Sequence, residues 1–169
     1  MPESRGFSVD IVAYVPQYRD ALLDLAIRAW EPVFPILADD VPSFVYQAFC
    51  PRGWRQRQRA DLAEVLDKES EGIDVAVDGP RPVGWVSTRL HREDNMSEVY
   101  VIAVDPEYQR RGIGRTLMEC SFARGRRAGM RMVMVETGDD GGHASARAAY
   151  ESIGFERWPV ARYFKDLST

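Results

Sequence analysis

Lysine is almost missing from this chain: among its 22 basic residues only Lys68 and Lys165 are not arginine. Thiols and imidazoles are equally scarce. Cys50 and Cys120 share no metal-like spacing, and His91 and His143 are the only histidines. That supply excludes a disulfide framework, a zinc site or a Cys–His nucleophilic pair, so neither a metal nor a covalent enzyme intermediate is implied. Apolar stretches such as Val99 to Val104 and Met130 to Val135 fall far short of the ~20 residues of a membrane span. The opening Met1-Pro2-Glu3-Ser4-Arg5-Gly6 lacks the basic start and apolar core of a secretory signal, so a cytoplasmic location is expected. Net positive charge is lacking too, and a balance of -4 argues against a nucleic-acid partner.

What is present suffices for one packed domain over residues 1–169, with 45% hydrophobic and 28% charged residues. Alternation from Phe7 to Tyr14 predicts a strand, and Leu22, Leu25, Ala26 and Ala29 predict a helix from Gln17 to Trp30, stopped by Pro32. The proline-rich segment from Glu31 to Gly53 predicts loops around one short helix near Ser43 to Phe49. Trp54 to Glu69 reads as an amphipathic helix with Leu62, Ala63 and Leu66 inward. Ile73 to Val77 and Val83 to Leu90 form a hairpin over Asp78-Gly79-Pro80-Arg81, and Ser97 to Val104 is a further strand. Gly112 to Ala128 reads as a helix with Ile113, Leu117 and Cys120 inward and Gly129 at C′. Met130 to Glu136, apolar almost throughout, reads as a central strand. Ser145 to Ile153 is a helix stopped by Gly154, and Phe155 to Lys165 a terminal strand interrupted by Pro159. The order implies an α/β (α+β) fold, a mixed, mainly antiparallel sheet with helices on both faces.

The informative stretch is Val104-Asp105-Pro106-Glu107-Tyr108-Gln109-Arg110-Arg111-Gly112-Ile113-Gly114-Arg115, between a strand and a helix. Glycines let the backbone approach a ligand, the first helical amides lack internal partners, and the helix dipole favours an anion there. A dinucleotide-binding unit would need glycine where Leu117 stands, and a Walker-type loop would need Gly-Lys-Ser/Thr. Gln109-x-x-Gly112-x-Gly114 instead resembles the pyrophosphate-binding signature of the Gcn5-related N-acetyltransferases. Downstream, Ala146-x-x-x-Tyr150-Glu151-x-x-Gly154-Phe155 resembles that family's second signature.

The resemblance implies transfer of an acetyl group from acetyl-coenzyme A to a primary amine of a small molecule or peptide. It divides the chain into acceptor-side elements in 1–72, a cofactor-binding core in 73–155 and a C-terminal strand in 156–169. It assigns the main chain of Ile102, Ala103 and Val104 to the pantetheine arm and thioester oxygen, one N–H serving as oxyanion donor. Gln109, Arg110, Arg111, Gly112, Ile113, Gly114, Arg115 and Thr116 are implied at the pyrophosphate, with Arg147 and His143 as further cofactor contacts. Many members carry asparagine at the position of His143, which either replaces that contact or caps its helix.

Tyr150 resembles the family's general acid, and its ordinary pKa of ~10 keeps the phenol protonated at neutral pH. Glu98 resembles the acidic base of several members, and the alternative reading is a solvated carboxylate in an ion pair. An ordinary glutamate titrates near ~4.3, so accepting an ammonium proton calls for burial or a water chain. Tyr100, two residues on, shares its face. Trp30, Phe34, Phe44, Tyr46 and Trp54 lie where the family shapes its acceptor pocket. Glu31, Asp39, Asp40, Asp139 and Asp140 either steer a cationic amine or are ordinary solvated carboxylates. A non-catalytic coenzyme A binder and a dinucleotide-dependent oxidoreductase are the competing classes. Trp158 and Tyr163 of the terminal strand offer an edge for a homodimer.

Overall fold

The computed structural model describes residues 8–168. Phe7, expected to open the first strand, and the leading residues read for a secretory signal lie outside them. Strands β1 (Asp10–Ala13), β2 (Ile73–Asp78), β3 (Arg81–His91), β4 (Met96–Val104) and β5 (Met132–Val135) form one sheet in chain order. The first three pairings are antiparallel and β4–β5 is parallel. The helices are α1 (Arg19–Trp30), α2 (Val33–Asp40), α3 (Ser43–Phe49), α4 (Trp54–Lys68), α5 (Ile113–Arg127) and α6 (Ala144–Ser152). No helix among the described residues is long and apolar enough to cross a membrane. The described residues divide into two compact units, one of residues 8–29 with 58–136 and one of 30–57 with 137–168.

In the first unit the β2–β3 hairpin turns at Gly79, whose φ of 58° is left-handed and suits a residue without Cβ. α5 lies against β2, β3 and β4. Its buried face is Ile113, Leu117, Met118, Ser121 and Gly125, a 3.6-residue stripe, while Cys120, expected on that face, is only half-buried beside it. Two details fix its register. Thr88 Oγ1 donates to Ser121 Oγ at 2.8 Å, and a Cβ on Gly125 would meet Ser97 Oγ at 2.5 Å. Val83 to Thr88 are all buried, so β3 is covered on both faces and carries the core, as the mixed sheet with helices on both faces requires. Leu22, Leu23, Leu25 and Ala26 of α1 and Leu62, Val65 and Leu66 of α4 are buried as well.

In the second unit Phe34 stacks on Trp54 with centroids 4.3 Å apart, and the Gly141 amide donates to Asp40 of α2 at 2.7 Å. Tyr150 of α6 meets Phe155 edge-on at 5.9 Å.

The structure departs from the sequence reading at four further places. A short 3-10 turn, Pro16–Tyr18, precedes α1, which starts at Arg19 rather than Gln17. α2 was not expected, because Pro35 argues against a helix. Pro35 falls in its first turn, where no intrahelical N–H bond is lost. β5 is an edge strand rather than a central one, with Met132 54% exposed. No strand forms in 156–168, where Trp158, Val160 and Tyr163 are 84%, 75% and 92% exposed. The expected terminal strand is thus replaced by irregular chain, and pairing of two subunits along it has no strand to rest on.

Leu117 is fully buried between α5 and the sheet. Leu117→Ala is expected to lower unfolding free energy by about 2–5 kcal/mol, read from urea denaturation. A loss under about 1 kcal/mol would show that α5 is not seated on this core.

Candidate active site

β4 holds β3 along its whole length but holds β5 only from Met96 to Val99. Between the pairs Ser87–Val101 and Thr88–Val99 the β3–β4 register shifts, which makes Tyr100 the extra residue of a bulge. Loss of the β5 partner and the bulge therefore fall at the same point. Beyond it, Asp105 N–H donates to Val83 O at 2.8 Å, toward β3. Because a residue's N–H and C=O leave a strand on the same side and neighbours alternate, Ile102 and Val104 present their peptide groups to the edge without β5. Ala103 faces the β3 ladder and its side chain is 4% exposed.

The strand exit is pinned by one carboxylate. Asp105 is 1% exposed, accepts the Glu107 amide at 3.1 Å, and takes the guanidinium groups of Arg28 at 2.7 Å and Arg81 at 3.1 Å. Burial pushes its pKa up, but the Glu107 amide and the two arginines outweigh burial and hold it below the ordinary carboxylate value. Arg81 also binds Glu107 and lies over the Tyr108 ring, whose hydroxyl donates to Asp78. Gln109 closes the loop by donating from Nε2 to Val104 O at 3.1 Å.

Gly112, at φ 83°, turns this loop into α5. The first bond back to it comes from Thr116, whose N–H and Oγ1 both reach Gly112 O, at 3.0 and 3.1 Å. The amides of Ile113, Gly114 and Arg115 precede that bond and are the donors a helix start leaves over. A Cβ on Gly112 would touch nothing within 4 Å, and one on Gly114 would meet only Val104 Cγ2 at 3.9 Å. The approach to these amides is clear of protein. Arg110, Arg111 and Arg115 are exposed around it, and Arg111, Ile113 and Thr116 line a shallow cleft of about 190 Å³ with Ser8 and Val9. Ile113 is 2% exposed, its side chain in the buried stripe of α5. An open, dipole-positive end flanked by guanidinium groups fits a diphosphate.

Glu98 lies lower on β4, opposite Arg89 of β3. Its carboxylate is 2.7 Å from Nε2 of His91. Arg89 is bound by Glu69 at 2.6 and 2.8 Å and stacks over the Tyr100 ring. Sequence reasoning missed Arg89, Glu69 and the His91 contact. The signal available was the turn Arg92 to Asn95, which folds His91 back toward the strand that bears Glu98.

The remaining site residues belong to the second unit. His143 occupies the N-cap position of α6, but its Nδ1 meets Asp140 at 2.7 Å rather than a helix amide. Arg147 donates to the carbonyls of Gly138 and Asp140, both at 2.7 Å, and so braces the 138–140 loop. Burial raises the Tyr150 phenol above its ordinary value, which keeps it protonated at neutral pH. The acidic residues nearby are engaged: Glu31 with Arg55, Asp40 with Gly141, Asp139 with Arg157. Cys50 and Cys120 are free thiols, and burial raises that of Cys120. No metal-binding group of three donors occurs among the described residues.

A family model for the acetyltransferase (GNAT) family matches residues 21–155. Mycothiol acetyltransferase of Kocuria rhizophila is 37% identical over 118 residues, 62% of this chain and 38% of that protein. The chain spans less than half the length of such curated relatives. The ribosomal-protein-S18-alanine N-acetyltransferase of Escherichia coli superposes with a TM-score of 0.64 at 19% identity, covering 95% of this chain and 86% of that one. The PaiA N-acetyltransferase of Thermoplasma acidophilum, in complex with coenzyme A, does so with a TM-score of 0.63 at 14% identity, covering 89% and 91%. These superpositions show a shared fold.

A carboxylate with a depressed folded-state pKa contributes stability above its unfolded value, and that contribution is lost as pH falls through the folded one. Asp105→Asn is therefore expected to be less stable than wild type at pH 7, with the difference shrinking between roughly pH 5 and 2. Chemical unfolding across that range reads it, and a gap independent of pH would remove Asp105 from the role of charged anchor.

Proposed function

Because this chain belongs to the acetyltransferase (GNAT) family, we propose that it transfers an acetyl group from acetyl-coenzyme A directly to a primary amine of a small molecule or peptide. The observation that carries the reading is the continuity of β4's free edge with the open, arginine-flanked start of α5. The name shared by its sequence relatives, mycothiol acetyltransferase, favours a small-molecule acceptor over a peptide.

The diphosphate of the coenzyme takes the amides of Ile113, Gly114 and Arg115, with Arg110, Arg111 and Arg115 adding charge. Thr116 and Gln109 shape the turn, the one from the helix and the other through Val104 O. When bound, acetyl-coenzyme A supplies an activated thioester carbonyl. Ile102 and Val104 offer main-chain N–H groups at the unpaired edge, preorganised donors for charge developing on a carbonyl oxygen. Glu98 takes the proton of the acceptor ammonium, and the Tyr150 phenol holds a proton for the departing thiolate. His143 and Arg147 keep the 138–143 loop in shape and contribute to the coenzyme from there.

Gly114→Val separates binding from folding, because the protein leaves room for the new side chain where the coenzyme would approach. Its melting temperature is expected to hold while coenzyme A affinity drops at least about tenfold, or ~1.4 kcal/mol. Unaltered affinity by titration calorimetry would take the diphosphate away from α5.

Tyr150→Phe is expected to cut kcat for thiol release about a hundredfold, near the low end of general acid–base contributions, with coenzyme A affinity unchanged. Glu98→Gln is expected to lower kcat and alter the pH–rate profile. Thiol release across a panel of amines measures both. Acetyl-coenzyme A bound by the wild type but neither hydrolysed nor consumed with any amine of the panel would favour a non-catalytic binder instead.

A further inference from the structure

Glu98 is poorly placed to be held by solvent. Its side chain is 13% exposed, and its Oε2 lies 2.7 Å from Nε2 of His91, which is 32% exposed. His91 ends β3 and lines a surface cleft of about 480 Å³ with Lys68, Glu69, Glu71 and Arg89. One carboxylate oxygen of Glu98 is thus tied to a ring that water reaches.

We propose that His91 is a positioning residue for acetyl transfer, which aims Glu98 and switches its availability as a base with pH. The inference rests on Glu98 taking the acceptor's proton. With the imidazole neutral, Nε2–H donates to Oε2 and fixes the carboxylate rotamer, while Oε1 accepts the ammonium proton directly or through one water. The acceptor nitrogen keeps its electron pair, and Glu98 becomes the neutral acid until it returns the proton to water. When the ring gains a second proton, the same contact becomes an ion pair that holds the carboxylate as an anion, and transfer slows.

The charged groups around the ring fit this switch. On β3 Arg89 is matched by Glu69 across two hydrogen bonds, which leaves it little influence on His91. At the end of α4, Lys68 is paired with Glu64, and beyond the helix Glu71 borders the cleft. The turn beyond His91 carries Arg92, Glu93 and Asp94, and β4 contributes Glu98 itself, with Met96 directly across. Glu71 and Glu98 therefore place negative charge beside the ring.

The test compares kcat against pH for wild type, His91→Gln, His91→Ala and Glu98→Gln with one acceptor amine. Glutamine places an amide N–H about where Nε2–H stands but cannot gain a proton. His91→Gln is expected to keep kcat within about threefold of wild type at alkaline pH and to extend activity to lower pH. His91→Ala is expected to lose about tenfold or more in kcat at alkaline pH, a fraction of a general base's usual contribution, and to lack the wild-type acid limb, with the KM for acetyl-coenzyme A unchanged. Adding Glu98→Gln to His91→Ala is expected to cost nothing beyond Glu98→Gln alone.

A His91→Ala profile identical to wild type, or a His91→Gln profile with the wild-type acid limb, would overturn the inference. So would additive losses in the double variant. If Glu98→Gln alone leaves the profile untouched, Glu98 is not the base and the inference falls with that assignment. Should His91→Ala fail to fold, the acid limb of His91→Gln decides.

Discussion

One strand keeps one neighbour and loses the other. β4 stays bonded to β3 to its end, and at Tyr100 it bulges and parts from β5. A strand between two partners has its peptide groups consumed, and an edge strand exposes a whole row of them. β4 does neither. Its first half is braced on both sides, and its second half leaves the N–H groups of Ile102 and Val104 without a strand partner while β3 still holds it. Rigid main-chain donors are what stabilisation of a developing oxyanion asks for, since they need no reorganisation when charge appears.

The same geometry sets where the chain goes next. The exit from β4 is fixed by Asp105, a buried carboxylate whose desolvation is offset by an amide and two guanidinium groups. Removing water from a charge is tolerable only with such compensation. Held this way, the loop delivers Gly112 in a left-handed conformation and opens α5 with its amides outward. The chain's reliance on arginine then has a local meaning. Half-exposed Arg28 and Arg81 anchor the turn through buried Asp105, and Arg110, Arg111 and Arg115 surround the helix start, where planar guanidinium groups match phosphate oxygens better than lysine does.

Much of this was legible in the sequence because it is encoded locally. The stripe of α5, the tight turn at Gly79, and the glycine pair flanked by arginines each follow from a few adjacent residues. What escaped depends on pairing between segments. The bulge at Tyr100 exists only as a mismatch between β3 and β4, and no residue in either strand announces it. The His91–Glu98 contact needs the register of those strands as well as the turn between them. α2 was hidden by Pro35, a residue that breaks helices in their interior but is harmless in a first turn. The position of β5 and the fate of residues 156–168 were misread together. Met130 to Glu136 reads as central because it is apolar almost throughout, yet β5 lies at the sheet edge and no strand forms in 156–168 to flank it. Trp158 and Tyr163 carry strand-like character, but propensity without a partner leaves them exposed.

The account stands on main-chain amides of β4 and α5 receiving the coenzyme, and amide chemical shifts report on those groups one at a time. Titrating the ¹⁵N-labelled protein with coenzyme A is expected to move the signals of Ile113, Gly114 and Arg115 most, together with those of Ile102 and Val104, and to leave β1 and β2 nearly still. Shifts concentrated elsewhere, with the α5 amides unmoved at saturation, would contradict it.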